Sequence, residues 1–371
     1  MNTVQRIFAL AIKELLAILR DRKSRFVLIG PPIAQLLVFG YAATFDLNHI
    51  PMAVYNEDRS APARELVAKI AGSPNFELVR TLTHDGQIPA LIDNKDVLLV
   101  LHLGPRFSEY LKRGLPAGAQ VIIDGRNSNT ALLALGYLRG IIANYNFAWA
   151  SEHGAPAPPA SLKIRPWYNE NLLSRWFIVP GIIGLLSLVV TTIVTGLSVA
   201  REREAGTFDQ LLVTPMRPFE ILIGKSVPGI LIGLVEGTLI LLVAVYWFEV
   251  PLRGSLGALY LGLFLFLLSA VGIGLMISSL AVTQQQGILG AFMFLVPSVI
   301  LSGFATPIAN MPEVVQQLTW VNPMRYFLII LRGVFLEGDS FDLLFNQYWP
   351  MVCIAVVTLS LAGWLFRHRM N

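Results

Sequence analysis

Charge is scarce in this chain. Only 14% of its 371 residues are Asp, Glu, Lys or Arg, against about 25% in a soluble globular protein. Hydrophobic residues make up 54% and the mean hydropathy is +0.61, and apolar runs long enough to cross a hydrocarbon core about 30 Å thick recur. The composition predicts an integral membrane protein. Cysteine is nearly absent: Cys353 stands alone, which excludes an intramolecular disulfide. The histidines (His49, His84, His102, His153, His368) are scattered with no metal-ligand spacing such as HExxH, so no metal site is expected. A complete phosphate loop is lacking too. "IGKS" (Ile223–Ser226) ends like one, but Phe219 stands where the pattern requires glycine. With no nucleophile–base pair and no paired carboxylates, the chain is expected to bind no cofactor and catalyse nothing itself. The formal net charge of +4 then reads as topology rather than as nucleic-acid binding.

What is present is a polytopic α-helical pattern. The first 25 residues place Ile7, Leu10, Leu15 and Ile18 at helical spacing among Arg6, Lys13, Glu14 and Arg20. That predicts an amphipathic helix at the membrane surface, with no cleavable signal. Six spans are expected: 26–45, 176–200, 226–248, 256–280, 287–304 and 349–366. Pro31 and Pro32 fall near the start of the first, where a missing donor costs least. Lys and Arg gather in residues 1–25, in the loop 201–225, and in the tail 367–371. The positive-inside rule therefore puts both termini and that loop in the cytoplasm of a bacterial inner-membrane protein.

Residues 46–175 have ordinary mixed composition and suit an extracytoplasmic α/β domain. Strand candidates are "MAVYNED", "NFELVRTL", "DVLLVLHL" and "AQVIIDGR", with helices near 64–71, 105–113 and 129–150. A Pro/Ala-rich linker, "SEHGAPAPPAS" (151–161), follows. Before the last span, residues 305–340 and their approach from Pro297 are too apolar for a plain loop. They are also too broken by Gly303, Pro307 and Pro323 for a clean span. Short re-entrant helices are expected there, carrying Arg325 and Arg332.

Glu236 falls inside the third span, where an ionised side chain costs several kcal/mol. It sits among Gly229, Gly233 and Gly237, whose small size permits close helix contact. Two readings stay open: a polar group lining a transport route, or a hydrogen-bonded strut between helices. Thr191, Thr192, Thr195, Arg325 and Arg332 are the candidate partners.

The densest charge cluster follows the second span: "REREAGTFDQLLVTPMRPFEILIGK" (Arg201–Lys225). This stretch resembles the signature of ABC-2 type export permeases, E-x-GT-x-E/D-Q-L-x-x-TP. "LSGFATPIANMP" and "NPMRYFLIILRGVFLEG" resemble that family's second signature, and the long insertion after span one is similar to the larger bacterial, putative multidrug subgroup. Asp209 stands where Glu is common. The resemblance implies a permease subunit with a short coupling helix that docks on a separate ATP-binding cassette subunit, which carries ATP and Mg. It also implies a second permease subunit, either the same chain or a paralogue, and a periplasmic adaptor as a further partner in a cell with two membranes. On this reading Thr207 caps the helix, with Gln210 completing a capping box. Phe208, Leu211 and Leu212 offer an apolar docking face, and Thr214-Pro215 ends the helix. Arg201, Glu202, Arg203 and Glu204 would pair at the subunit rim beside Gly206 and Asp209. The rival readings are a proton-driven transporter using Glu236 and a receptor with an external ligand-binding domain.

Overall fold

The computed structural model describes all residues except 1, 21, 43–46, 155–166, 171–172, 209–213, 215 and 370–371; the side chains of 22–24, 27, 28, 42 and 369 are also left undescribed. The chain divides into two compact units, one of residues 45–165 and the other of residues 1–44 with 166–371.

In the first unit, apolar runs rich in Val, Leu and Ile form β1 (Ile50–Asn56), β2 (Phe76–Leu82), β3 (Leu99–Leu103) and β4 (Ala119–Ile123). The sheet order is β2-β1-β3-β4, with β1 parallel to both β2 and β3, and β4 antiparallel to β3. The helices of this unit are α3 (Ala61–Ala71), α4 (Ile88–Asp93), α5 (Phe107–Lys112) and α6 (Ser128–His153). The residues at 64–71, 105–113 and 129–150 thus fall largely on helices, and α4 is an addition. Met52, Leu99, Leu101 and Leu103 of the sheet meet Leu66 and Ile70 of α3 and Leu138 and Tyr145 of α6 in one core. Burial works against ionisation of Asp58, yet hydrogen bonds from Ser108 and Ser60 hold its carboxyl below the usual range and fasten the start of α5 to the β1–α3 turn. Ser151–His153 belong to α6 rather than to a linker, because Gly154 in the left-handed region (φ 62°) closes the helix. The rest of the expected linker, 155–161, lies outside the described residues.

The second unit is helical: α1 (Thr3–Arg20), α2 (Arg22–Ala42), α7 (Ser174–Gly196), α8 (Ser198–Glu204), α9 (Pro218–Tyr246), α10 (Leu256–Leu280), α11 (Gln284–Ile300), α12 (Glu313–Leu318), α13 (Pro323–Arg332) and α14 (Phe341–Arg369). Among the described residues, four helices are long and apolar enough to cross a membrane: Ser174–Glu204, Pro218–Tyr246, Leu256–Leu280 and Phe341–His368. Two further expected spans coincide with shorter apolar helices, Ile29–Tyr41 within α2 and Gln284–Ile300.

Several boundaries differ from the sequence reading. Pro31 and Pro32 lie inside α2, not at its start, because the helix begins at Arg22. The loop expected over 201–225 is helical at both ends. Arg201–Glu204 continue the second span as α8, and α9 starts at Pro218, in front of Lys225. Pro at the first turn and a capping box between Arg217 and Glu220 start α9 there.

Helix packing follows the small residues. A side chain at Gly229 would meet Thr195, one at Gly233 would meet Leu267 and Thr191, and one at Gly237 would meet Leu263. The glycine series of α9 is therefore wedged against α7 and α10. Between α11 and α14 the backbone runs through a left-handed Gly303 (φ 85°), a turn at Ile308–Asn310 and the short helices α12 and α13. Phe327 of α13 stacks on Phe266 of α10 at 4.5 Å and fills the space left by Gly184 of α7.

Gly233→Ile should overpack the α9–α10 contact and lower the melting temperature of the detergent-purified chain by about 5 °C or more. Gly136→Ala in α6, where a side chain meets nothing within 4 Å, should leave it unchanged or slightly raised. Equal melting temperatures for Gly233→Ile and the parent would contradict this packing.

Candidate functional site

The charges of Arg201–Glu204 each have a separate task, set by the turn of α8 that carries them. Leu197 breaks the helix between α7 and α8, and the freed amides of Val199 and Ala200 donate to Ser278 Oγ of α10 at 2.8 and 3.2 Å. Arg203 donates to the Ser279 and Ala281 carbonyls at the end of α10, at 2.9 and 3.2 Å. Glu204 accepts from the Gln284 amide at the start of α11, at 2.7 Å. A cation thus faces a helix C-terminus and an anion faces a helix N-terminus, the favourable pairing with each macrodipole. Glu202 points inward and is buried. Arg201 stays half-exposed. The expected ion pairs at a subunit rim are corrected for Glu202 and Arg203: these side chains are spent on the chain's own helices.

Glu202 belongs to a buried ion-pair cluster. Its carboxylate lies 2.7 Å from Lys225 Nζ of α9 and 2.7 Å from Lys13 Nζ of α1. Lys225, 2% exposed, also donates to Glu14 Oε1 of α1 at 3.0 Å and to Ser198 Oγ at 3.3 Å. Two cations and two anions from three helices are thereby matched. Alongside, Leu10 of α1 occupies the space over Gly224, and Arg6 lies 3.8 Å from Glu220. Hence α1 is held by α9 through Leu10 and Glu14, while Val4, Phe8, Ile12, Leu16 and Leu19 form an exposed apolar stripe. The lysine of "IGKS" is the centre of this cluster, a role the sequence reading did not assign.

The helix α8 ends in a Schellman motif. The Gly206 amide donates to the Arg203 carbonyl at 3.1 Å and the Thr207 amide to the Glu202 carbonyl at 2.9 Å, with Gly206 left-handed at φ 68°. Gly206-Thr207 is therefore first a helix stop. Phe208 is corrected as well. It is buried with Leu10, Val199, Ile221 and Phe366, lies under the Arg203 guanidinium at 4.9 Å, and offers no open docking face. Its neighbours Asp209, Gln210, Leu211 and Leu212, with Val213 and Pro215, lie outside the described residues. Glu204, Ala205, Gly206 and Thr207 are exposed.

Glu236 is 7% exposed, and neither carboxyl oxygen has a hydrogen-bond partner among the described residues. It lies on the flank of the glycine stripe, beside a cavity that residues of α1 and α2 also line. None of the candidate partners hydrogen-bonds to it among the described residues. Thr195 donates to the Thr191 carbonyl, and the Thr191 and Thr192 hydroxyls reach no partner. Arg332 donates to the Gly303 carbonyl at 3.2 Å and lies 4.2 Å from the Phe177 ring centroid. Arg325 donates to Thr319. Pro323 opens α13 behind an Asn322 cap, and Pro307 precedes the turn at Ile308. These outer residues shape backbone and do not converge on Glu236.

Lys225→Met would leave Glu14 and Glu202 buried with only Lys13 to match them. It should destabilise the chain by about 3–5 kcal/mol, read as thermal loss of monodisperse protein in detergent. Combining it with Glu14→Gln and Glu202→Gln should restore most of the loss. A Lys225→Met protein as stable as the parent would exclude the cluster as a structural tie.

Residues 23–364 match the family described as ABC-2 family transporter protein. The chain is 40% identical over 365 residues to the "Probable multidrug ABC transporter permease YbhR" of Escherichia coli (strain K12), spanning 98% of this chain and 99% of that protein. It is 33% identical over 371 residues to the "Probable multidrug ABC transporter permease YbhS" of the same organism, at 98% and 97% coverage. A shorter similarity, 25% over 197 residues, joins 53% of this chain to 26% of "ABC transporter G family member 20" of Dictyostelium discoideum. Match and fold agree on a membrane-embedded transporter, and the chain belongs to the ABC-2 family.

Proposed function

We propose that this chain is the membrane-spanning permease subunit of an ATP-binding cassette exporter. It has six spans, both termini in the cytoplasm of a bacterium, and residues 46–175 outside the inner membrane. A separate cytoplasmic subunit binds ATP with Mg and hydrolyses it, and two permease subunits assemble with two such partners. The cargo is an amphiphile, either a lipid-like molecule or a drug, the latter in keeping with the names of the Escherichia coli relatives. A periplasmic adaptor receives it where a second membrane exists.

The observation that carries this reading is the exposed cap Glu204–Thr207 at the end of α8, backed by the buried Glu202, Lys225 and Glu14 with the exposed Lys13 closing the cluster. A docking handle has to be open to a partner and stiff behind. Exposed polar groups at a helix end satisfy the first need, and ion pairs to α1 and α9 satisfy the second. Closure of the ATP-binding subunits on residues 204–212 would move α8 with α9 and α1, and α7 with them.

The test is co-purification with the ATP-binding subunit expressed alongside it. Thr207→Arg and Leu212→Asp should each cut recovery of that subunit and ATP-dependent efflux by about thirtyfold, the loss a docking hot spot carries. The permease itself should remain monodisperse. Full recovery and full efflux in both variants would refute the docking site.

A further inference from the structure

The helices α2 and α9 meet near their C-terminal ends. Trp247 Nε1 donates to Tyr41 Oη at 2.7 Å, and the Tyr41 and Phe248 rings lie 5.3 Å apart. Elsewhere they part around a cavity of about 730 Å³, which Leu19 and its neighbours on α1 also line. On α2 the lining runs from Arg25 to Leu36, and on α9 from Leu231 to Val243. At 1.5 Å per residue each of these stretches is about 17 Å long. One leaflet of a hydrocarbon core about 30 Å thick is about 15 Å deep. The slot therefore has the depth of a single leaflet.

The charge that a ligand in this slot would meet stands at one end of it. Arg25, in the first turn of α2, is exposed, and no ion pair or hydrogen bond takes up its guanidinium among the described residues. Glu236 lies partway along the α9 wall, but both of its carboxyl oxygens are closed off, so it presents no anion to the space. Arg20 is exposed at the end of α1, and Arg22 and Lys23 fall between it and Arg25 in the sequence. A small neutral molecule could fill such a volume but would leave Arg25 unmatched. A soluble anion would match Arg25 but leave the apolar walls uncovered. A negative head group carrying hydrocarbon chains satisfies both, and basic pockets beside membrane spans hold anionic lipid head groups in this way. We infer that the cavity between α1, α2 and α9 binds an anionic phospholipid of the surrounding bilayer, its phosphate on Arg25 and an acyl chain along α2 and α9. The inference goes beyond the export reading and does not rest on it: the site belongs to the permease chain alone, and the lipid is a resident rather than cargo.

Binding is measured by native mass spectrometry of the full-length chain, without any ATP-binding subunit. The chain is released from mixed micelles holding equal amounts of dioleoylphosphatidylglycerol and dioleoylphosphatidylcholine. The parent should retain the anionic lipid in preference to the zwitterionic one. Arg25→Gln should lower retention of phosphatidylglycerol about tenfold, the loss of one charge-assisted contact, and leave phosphatidylcholine unchanged. Arg25→Lys, which keeps the charge, should keep most of the binding. Ile33→Trp, which narrows the slot and leaves Arg25 in place, should lower retention of both lipids. Arg367→Gln, which removes an exposed cation near the C-terminal end of α14, should change neither. Millimolar glycerol phosphate, a head group without chains, should displace nothing. The proposal is overturned if the parent retains the two lipids equally, or if Arg25→Gln holds phosphatidylglycerol as the parent does. It is equally overturned if Arg367→Gln loses as much as Arg25→Gln, if Ile33→Trp changes nothing, or if glycerol phosphate drives the lipid off.

Discussion

Lys225 carries its ammonium into a space closed to solvent, and carboxylates from two other helices meet it there. Desolvating such a group costs several kcal/mol, and the return comes only when geometry and count are both right. Here they are: Lys225 and Lys13 against Glu14 and Glu202, with Ser198 filling a remaining valence. A buried ion pair is poor evidence of extra stability but good evidence of fixed register. Shifting α1 or α8 by one turn along α9 would strand a charge. The relation among α1, α8 and α9 is therefore closely specified, and the interfacial stripe of α1 and the exposed cap of α8 both inherit their placement from it.

From that cluster the specification passes into the apolar helices by close packing rather than charge. Gly274 of α10 admits Thr195 of α7, Gly287 of α11 sits against the Gly196 carbonyl, and the α9 glycines admit Thr195, Thr191 and Leu267. Lipid tails are as apolar as leucine, so helix association gains little from burying leucine alone; close approach at small residues supplies the contact. Arg203 and Glu204 complete the frame by closing the end of α10 and the start of α11. A displacement of α8 thus meets five helices at once: α7 through the chain, α9 through Lys225, α1 through Lys13, and α10 and α11 through side chains at helix ends.

How much of this was legible depended on whether charge meant water. Span 256–280 coincides with α10 because nothing ionisable interrupts it. The strands of the α/β unit were legible from short Val, Ile and Leu runs between turns, though not their order, since parallel pairing leaves no local mark in sequence. Glu202, Glu220 and Lys225 misled the reading of 201–225, because charge beside a span ordinarily marks its end. Their partners come from α1, nearly two hundred residues away, and no local pattern announces them. Gly206 was readable in principle. A glycine just after a helical run with Arg203 in its last turn is the usual stop signal, and it was passed over in favour of a start at Thr207. Phe208 falls on the same face as Leu211 and Leu212 in the expected coupling helix, but it is packed with Phe366 and Val199 instead.

Lys225 and Glu236 stand on one helix eleven residues apart, about 16 Å along its axis, and the contrast between them separates structure from function. Lys225 is surrounded by opposite charge and accounts for the fastening of three helices. Glu236 makes no hydrogen bond or ion pair among the described residues, and both of its oxygens are closed off from solvent. Its glycine neighbours make the contact with α7 and α10. A glutamine or leucine there would serve packing as well, at lower cost to the apolar state.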